Sequence, residues 1–194
     1  EVSLEMASLL HMTPVDEIHF MRKIVIDGST TGGFQRTALV ATKGSLELGG
    51  KTFGMATVCL GIAAKCLELA NKYSKERKAF GRPINRYQEI SFKIADMMIQ
   101  TDVARLLIYQ AAWAKQMKDP EAAVLASVAK VWASEAATQI SSMAVQVHGG
   151  YGYIKEFPVE RLYRDAKLGE IGEGTSEIQR ILIAKDLIRK YGGK

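Results

Sequence analysis

The residues best suited to chemistry lie between Ala144 and Ile183, where two apolar helical patterns are separated by glycine-rich breaks. The first break, His148-Gly-Gly-Tyr-Gly152, has three glycines in four positions, which permit backbone conformations closed to other residues and let a ligand approach the main chain. The second break, Gly172-Glu-Gly-Thr-Ser176, places a carboxylate at Glu173 just before a predicted helix. This pattern indicates a ligand site with one candidate acid–base group.

The second break also predicts a helix N-terminus. Thr175 or Ser176 can cap it, and Glu177 precedes a periodic apolar run at Ile178, Ile181 and Leu182. The unpaired N–H groups and positive dipole of such a terminus suit a diphosphate or a thioester oxygen. The residues alone also allow a plainer interpretation, in which the glycines end a helix and Glu173 is solvated.

Four motifs carry a resemblance to a known family: ERKAFGRP at Glu76–Pro83, VQVHGGYGY, VERLYRDAK and IGEGTSEIQR. In this order and spacing they resemble the C-terminal domain of the acyl-CoA dehydrogenases, from about residue 60 to the end of the chain. The resemblance implies a mainly α fold, an up-down four-helix bundle, here preceded by a short β-rich N-terminal arm.

The resemblance implies roles for the motif residues. Glu173 is expected to be the base that removes the α-proton of an acyl-CoA thioester while a hydride leaves the β-carbon for FAD, and the Gly174 N–H is expected to bind the thioester oxygen. Arg77 and Gln88 are expected to reach the flavin of a neighbouring subunit. The full expected FAD-contacting set is Arg77, Phe80, Gln88, Gln146, Val147, His148, Gly149, Gly150, Thr175, Ser176 and Glu177.

Plainer interpretations exist for several of these residues. Arg77 could be a solvated cation at a helix end, Phe80 a core residue and His148 a loop histidine without acid–base function. The chain also departs from the family pattern, because Gly172 stands where many members have tyrosine and the arginine expected near Thr52 is missing. The bundle alone is not expected to enclose both ligands, so further domains or a partner chain would have to complete the site.

Residues 1–58 have a different pattern from residues 59–194, and we predict a domain boundary between them. Short β-rich runs punctuated by Asp27-Gly28, Lys43-Gly44 and Gly49-Gly50 indicate a small sheet. Residues 14–58, and His19–Gly54 above all, resemble a segment of the archaeal glutamyl-tRNA(Gln) amidotransferases, which suggests a chimeric or truncated chain. The two resemblances disagree about Lys51–Leu60, which is a strand by one and the start of a long helix by the other.

Beyond Gly61, apolar periodicity predicts four helices. The first ends at Gly81-Arg82-Pro83, the second starts near Asn85, the third has Pro120 as its first residue and runs through Val147, and the fourth begins after Thr175.

Composition bounds the remaining expectations. A chain of 194 residues that is 47% hydrophobic can bury one sizeable core, and its net charge of +5 weakly favours an anionic partner such as nucleotide or coenzyme A phosphates over a nucleic acid. Cys59 and Cys66 are expected to be buried free thiols, and no metal site is predicted. No apolar run reaches the roughly 18 residues of a membrane span, which favours a cytoplasmic or mitochondrial-matrix protein without membrane contact.

Three functional hypotheses follow. The first is the C-terminal part of a flavin-dependent acyl-CoA dehydrogenase that forms a homo-oligomer, a dimer or a tetramer, and passes electrons to an electron-transfer flavoprotein. The second is a non-catalytic, oligomerising scaffold. The third is a tRNA-binding amidotransferase fragment, although no nucleic-acid partner is predicted for the chain.

Overall fold

The computed structural model describes residues 51–192, except for the side chain of Lys51. This part of the chain contains five α-helices: α1 (Lys51–Glu76), α2 (Gln88–Gln116), α3 (Ala122–His148), α4 (Pro158–Ile171) and α5 (Ser176–Tyr191). Two short strands, β1 (Lys78–Ala79) and β2 (Arg82–Pro83), form an antiparallel hairpin between α1 and α2. The predicted mainly α bundle is confirmed. Residues 1–50 of the predicted N-terminal β-rich arm lie outside the described part of the chain. The predicted domain boundary at residue 58 stays a prediction.

The stretch Lys51–Leu60 is helical, so the alternative in which it forms a strand is wrong. Phe53, Ala56 and Val58 are buried, and the same buried stripe continues through Ala63 and Cys66. The hydroxyl of Thr57 donates to the carbonyl of Phe53, which satisfies this buried polar group within the helix. Tertiary burial of one helix face therefore overrides weak local helix propensity.

Helix α3 lies at the centre of the bundle and packs against the other four helices. Its buried face consists mainly of small residues, with Ala129, Ala133, Ala137 and Ala144 all fully buried around Ile140. Small side chains at a spacing of three or four residues let neighbouring helices approach closely from several sides. The core of the chain is therefore organised around α3.

Three helix predictions need correction. The first helix ends at Glu76, before the β1–β2 hairpin, and not at Gly81-Arg82-Pro83. Pro120 is not the first residue of α3, because the helix begins at Ala122 after a turn in which the Asp119 carboxylate accepts from the Glu121 N–H at 2.8 Å. Helix α4 was not among the four predicted helices. It begins at Pro158 and buries Val159, Leu162, Ala166 and Gly169, which lie on one face at helical spacing.

Both thiols are free and buried, as predicted, and burial raises the pKa of Cys59 and of Cys66 to about 12.

The sequence was expected to contain no apolar run long enough to span a membrane. The helical segment Thr52–Glu76 is nevertheless long and apolar enough to cross one. Core helices meet the same criterion, and 67% of its apolar window is buried within the bundle. Its apolar face is thus part of the core around α3.

Candidate functional site

A cleft of about 480 Å³ lies where the end of α1 meets the end of α3. It brings together six of the predicted cofactor residues, although Arg77 is about 70 positions from the other five in the sequence. These six residues are Arg77, Gln146, Val147, His148, Gly149 and Gly150, and Tyr73, Ile84, Tyr151 and Ile154 complete the lining.

The glycine-rich break after α3 shapes one wall of the cleft. Gly149 has a positive φ of 60°, which a residue with a side chain rarely adopts, and a Cβ added at Gly149 or Gly150 would meet no atom within 4 Å. Gly152 has a different role, because a Cβ there would lie 2.5 Å from the carbonyl oxygen of Val145. The first two glycines therefore leave backbone open to a ligand, and the third lets the chain pack onto α3.

His148 is a structural element of the cleft. Its imidazole is 6% exposed and stacks on Tyr73 with ring centroids 4.2 Å apart, while Phe157 contacts both rings edge-on. The Nδ1–H donates to the carbonyl of Ala144 at 2.8 Å. Burial lowers the pKa of His148, so the ring is held neutral, as expected of a histidine without acid–base function.

This burial predicts a specific pH dependence of stability. Since the folded pKa of His148 lies below its ordinary value of 6.5, the unfolded chain binds a proton first, and stability is lost as pH falls below about 6.5. We expect the free energy of unfolding, measured by urea titration, to fall between pH 7.5 and 5.5. His148→Gln should reduce this dependence. An equal slope in both proteins would contradict the assignment.

Phe80 and Gln88 do not line the cleft. Phe80, with φ of 49°, and Gly81, with φ of 81°, form the tip of the β1–β2 hairpin, as in a two-residue turn with both residues left-handed. The Phe80 ring is 96% exposed and meets Tyr87 edge-on, so the interpretation of Phe80 as a core residue is wrong. Gln88, at the start of α2, is also exposed. Both residues are placed to contact something outside this part of the chain.

The predicted base lies in the connection between α4 and α5. Glu173 and Gly174 have left-handed backbone conformations, with φ of 54° and 90°, and the hydroxyl of Thr175 caps α5 by accepting from the N–H of Ile178. The Glu173 side chain is exposed. The apolar, water-poor surroundings expected of such a base are therefore not supplied by residues 51–192.

The side chains of Ser176 and Glu177 already make contacts within the protein. Ser176 is 3% exposed, so its hydroxyl is turned into the protein. The pKa of Glu177 is lowered by a hydrogen bond to its own backbone N–H and by the Thr175 hydroxyl. Because its carboxylate already occupies the positive helix end, it would compete with a diphosphate for the backbone N–H groups there.

The cleft and the Glu173 loop, residues 172–175, contact different parts of α3. The carbonyl of Gly174 contacts Lys130, whereas the cleft is lined by Gln146 and the residues after it. With a rise of about 1.5 Å per residue, the 16 residues from Lys130 to Gln146 separate the two regions by about 24 Å. The structure therefore does not join Glu173 and the six cleft residues into one pocket within the described chain, whereas Thr175, Ser176 and Glu177 directly follow the predicted base.

Lys130 is a residue that sequence reasoning missed. It is fully buried, and its Nζ donates to the carbonyl of Gly174 at 2.7 Å. Its position could have been noticed in the sequence, because this lysine lies among the apolar residues Val128, Val131 and Trp132 of a predicted core helix. Near it, a bidentate ion pair joins Glu135 of α3 to Arg180 of α5, with distances of 2.7 and 2.8 Å.

A second groove, of about 510 Å³, lies between α2, α3 and α5 and includes this ion pair. None of the predicted site residues line it. Within residues 51–192, no group of three or more His, Cys, Asp or Glu side chains is placed to hold a metal ion.

Comparison with known proteins identifies the family. Residues 46–188 match the acyl-CoA dehydrogenase C-terminal domain. Probable acyl-CoA dehydrogenase YngJ of Bacillus subtilis is 49% identical over 162 residues, covering 84% of this chain and 40% of that protein. The mitochondrial short-chain specific acyl-CoA dehydrogenase of Mus musculus is 50% identical over 147 residues, covering 76% of this chain and 35% of that protein.

Similarity to a solved structure agrees with the sequence comparison. Butyryl-CoA dehydrogenase from Megasphaera elsdenii superposes with a TM-score of 0.69 at 42% identity, covering 80% of this chain and 39% of that one. The chain thus spans 40% or less of the length of these relatives. On the match over residues 46–188, the chain belongs to the acyl-CoA dehydrogenase family, whose C-terminal domain it contains.

Proposed function

We propose that this chain is the FAD- and acyl-CoA-contacting C-terminal domain of a flavin-dependent acyl-CoA dehydrogenase, incomplete as a catalyst by itself. The observation that supports this most directly is that one helical bundle carries both a cleft lined by arginine and glycine and, separately, the Glu173 loop with its left-handed backbone. The sequence of this bundle matches the family. The substrate is an acyl-CoA thioester, from which one proton and one hydride are removed.

The residues of the cleft fit the cofactor that the family resemblance implies. The Arg77 guanidinium lies over the Tyr151 ring, 5.6 Å from its centroid, and can pair with a diphosphate. Gly149 and Gly150 leave open space beside the backbone, where a ring could lie. When bound, FAD would supply the hydride acceptor for the β-carbon of the substrate.

The chain's own contribution to the chemistry is proton removal and orientation. The Glu173 carboxylate would take the α-proton as the α C–H bond breaks, and the Gly174 N–H would polarise the thioester carbonyl. Residues outside 51–192, or a partner chain, would exclude water from Glu173 and thereby make its carboxylate more basic.

A homo-oligomer would complete the site. The roughly 24 Å between the cleft and the Glu173 loop, together with the exposed Phe80, favours an arrangement in which the cleft of one copy serves the Glu173 loop of another. In this proposal Arg77, Phe80 and Gln88 reach across to the neighbouring flavin, and an electron-transfer flavoprotein accepts the electrons. The relatives include mitochondrial and bacterial proteins, and we propose the cytoplasm or the mitochondrial matrix as the location.

Removing the Arg77 charge tests cofactor binding. We expect Arg77→Met to raise the Kd for FAD by about 10- to 100-fold, because a hydrogen bond to a charged group contributes about 1.5–3 kcal/mol. Calorimetric titration of the flavin-binding assembly measures this. The matched control is Arg164→Met on α4, which removes an exposed arginine paired with Glu160 and should leave the Kd unchanged. An unchanged Kd in Arg77→Met would count against the assignment of the cleft.

A non-catalytic oligomeric scaffold is the second candidate. It is favoured by the exposed Glu173 and by exposed apolar side chains on α5, namely Ile178, Ile181, Leu182, Leu187 and Ile188. A purified assembly without yellow chromophore would support it. The resemblance of residues 14–58 to an amidotransferase segment falls largely outside the described residues and stays a prediction.

A further inference from the structure

Lys130 stands out in the core of the bundle. Among the described residues it is the largest fully buried side chain, and no described carboxylate lies within ion-pair distance of its ammonium. Its two acceptors are backbone carbonyls: that of Gly174 at 2.7 Å and that of Glu170 at 3.4 Å. Burial lowers the pKa of Lys130, against the opposing influence of Cys59, Glu135, Glu170 and Glu177. A buried cation is unfavourable unless its partners compensate for the lost hydration, so the two carbonyls are required contacts of this ammonium.

The two carbonyls belong to the segment that carries the predicted base. Glu170 lies in the last turn of α4, where carbonyls lack helical partners and the helix dipole is negative, and Gly174 directly follows Glu173. Lys130 thus holds the segment on both sides of Glu173 from a rigid helix of the core.

The rest of the loop is fixed by complementary contacts. Gln179, 3% exposed, lies against the loop with its Nε2 3.4 Å from the Glu173 carbonyl, and a Cβ on Gly174 would come within 2.6 Å of that nitrogen. Thr175 caps the helix that follows. The backbone on both sides of Glu173 is therefore held, while its carboxylate is left exposed.

The left-handed conformation of Glu173 needs this support. A non-glycine residue at φ of 54° is unfavourable and persists only where surrounding contacts determine it. The ammonium of Lys130 supplies the contact with the shortest distance, 2.7 Å to the Gly174 carbonyl. Releasing that carbonyl would free the Gly174–Thr175 peptide to rotate. The adjoining Glu173–Gly174 peptide, which carries the Gly174 N–H, would then keep only the longer contact of its carbonyl with Gln179, so the orientation of Glu173 and of the Gly174 N–H would be less well determined.

We propose that Lys130 is a positioning residue, which acts through the Gly174 carbonyl to hold the Glu173 carboxylate and the Gly174 N–H in the orientation that proton abstraction requires. This inference rests on the proposed role of Glu173. It assigns no contact between Lys130 and the substrate.

The first experiment measures the loop itself in the 194-residue chain. Lys130→Met keeps the length and volume of the side chain and removes the ammonium. We expect hydrogen exchange of the backbone amides at residues 172–178 to accelerate by about 10-fold or more, since one charge-assisted hydrogen bond is lost. Exchange within the α3 core, residues 136–146, should be unchanged. The matched control is Lys167→Met, which removes an exposed lysine paired with Glu170 on α4 and should change neither region.

The second experiment measures the chemistry in the assembly that binds FAD and acyl-CoA. Lys130→Met should lower the rate constant for flavin reduction at saturating acyl-CoA by about 10- to 100-fold, because misplacing reacting groups by about 1 Å costs on the order of 10²-fold. The Kd for FAD and the flavin absorption spectrum should stay the same. This combination separates loop positioning from a loss of folding or of cofactor binding.

The outcomes distinguish this inference from the proposed function. Unchanged exchange at residues 172–178, or acceleration throughout the chain, would overturn the positioning role. So would local acceleration with a full reduction rate, provided that Glu173→Gln abolishes reduction. If Glu173→Gln leaves reduction intact, the base assignment fails instead, and the exchange experiment still decides whether Lys130 holds the loop.

Discussion

Replacing Glu173 with glutamine is expected to lower the rate of flavin reduction by acyl-CoA by about 10²–10⁴-fold, the effect typical of losing a general base. Glutamine keeps the shape and hydrogen-bonding capacity of the side chain, and it experiences the same strain at φ of 54°. The loop should therefore be preserved while its proton acceptor is lost. The measurement is anaerobic mixing of the flavin-loaded assembly with a saturated acyl-CoA, followed by flavin bleaching.

The control for this experiment is Glu160→Gln, which removes a carboxylate of the same type from α4, where it pairs with Arg164. It should bleach at the parent rate, and FAD binding should be intact in both variants. Bleaching of Glu173→Gln at the full rate would refute the assignment of the base. A parent protein that binds FAD without any bleaching would favour the scaffold function.

Replacing Gly169 with alanine is expected to destabilise the chain by about 1–3 kcal/mol, the usual cost of overpacking a core. Gly169 is on the buried face of α4, and a Cβ there would overlap the Sγ of Cys59 and lie 3.3 Å from the Cβ of Ser134. Neither neighbour is a long flexible side chain, so α4 would have to move away from α1 and α3. Urea unfolding monitored by circular dichroism measures the loss.

A double mutant tests the cause of this destabilisation. Adding Cys59→Ala to Gly169→Ala removes the overlapping sulfur, so the combined cost should be smaller than the sum of the two single costs. Gly150→Ala is the matched control, because a Cβ at that position meets no atom within 4 Å and the free energy of unfolding should hardly change. Additive costs at Gly169 and Cys59 would show that their contact is not responsible.

Part of the fold could be predicted from local patterns. The long apolar stripes of α1, α2, α3 and α5, and the breaks between them, come from side-chain periodicity along single helices. Helix α4 was missed although its signal is local, because Pro158 stands at its first position and Val159, Leu162 and Ala166 follow at helical spacing. The helical state of Lys51–Leu60 depends instead on burial against the rest of the bundle, since its local propensity favours neither state.

The candidate site divides in the same way. The chemical groups can be read from residue types: the carboxylate of Glu173, the guanidinium of Arg77, and the glycines of the two breaks, of which Gly149 and Gly174 have left-handed backbone conformations. These follow from residue type and from the conformations that only glycine adopts readily.

The arrangement of those groups depends on how the helices pack. Arg77 and the glycines after α3 share a cleft because α1 packs along α3, and the Glu173 loop lies at a different part of that helix, where Lys130 reaches it. Sequence spacing could not predict these relations, because Lys130 and Gly174 are 44 positions apart and meet only through helix packing. Residue type thus determined the available chemistry, and the packing of helices around α3 determined which groups meet.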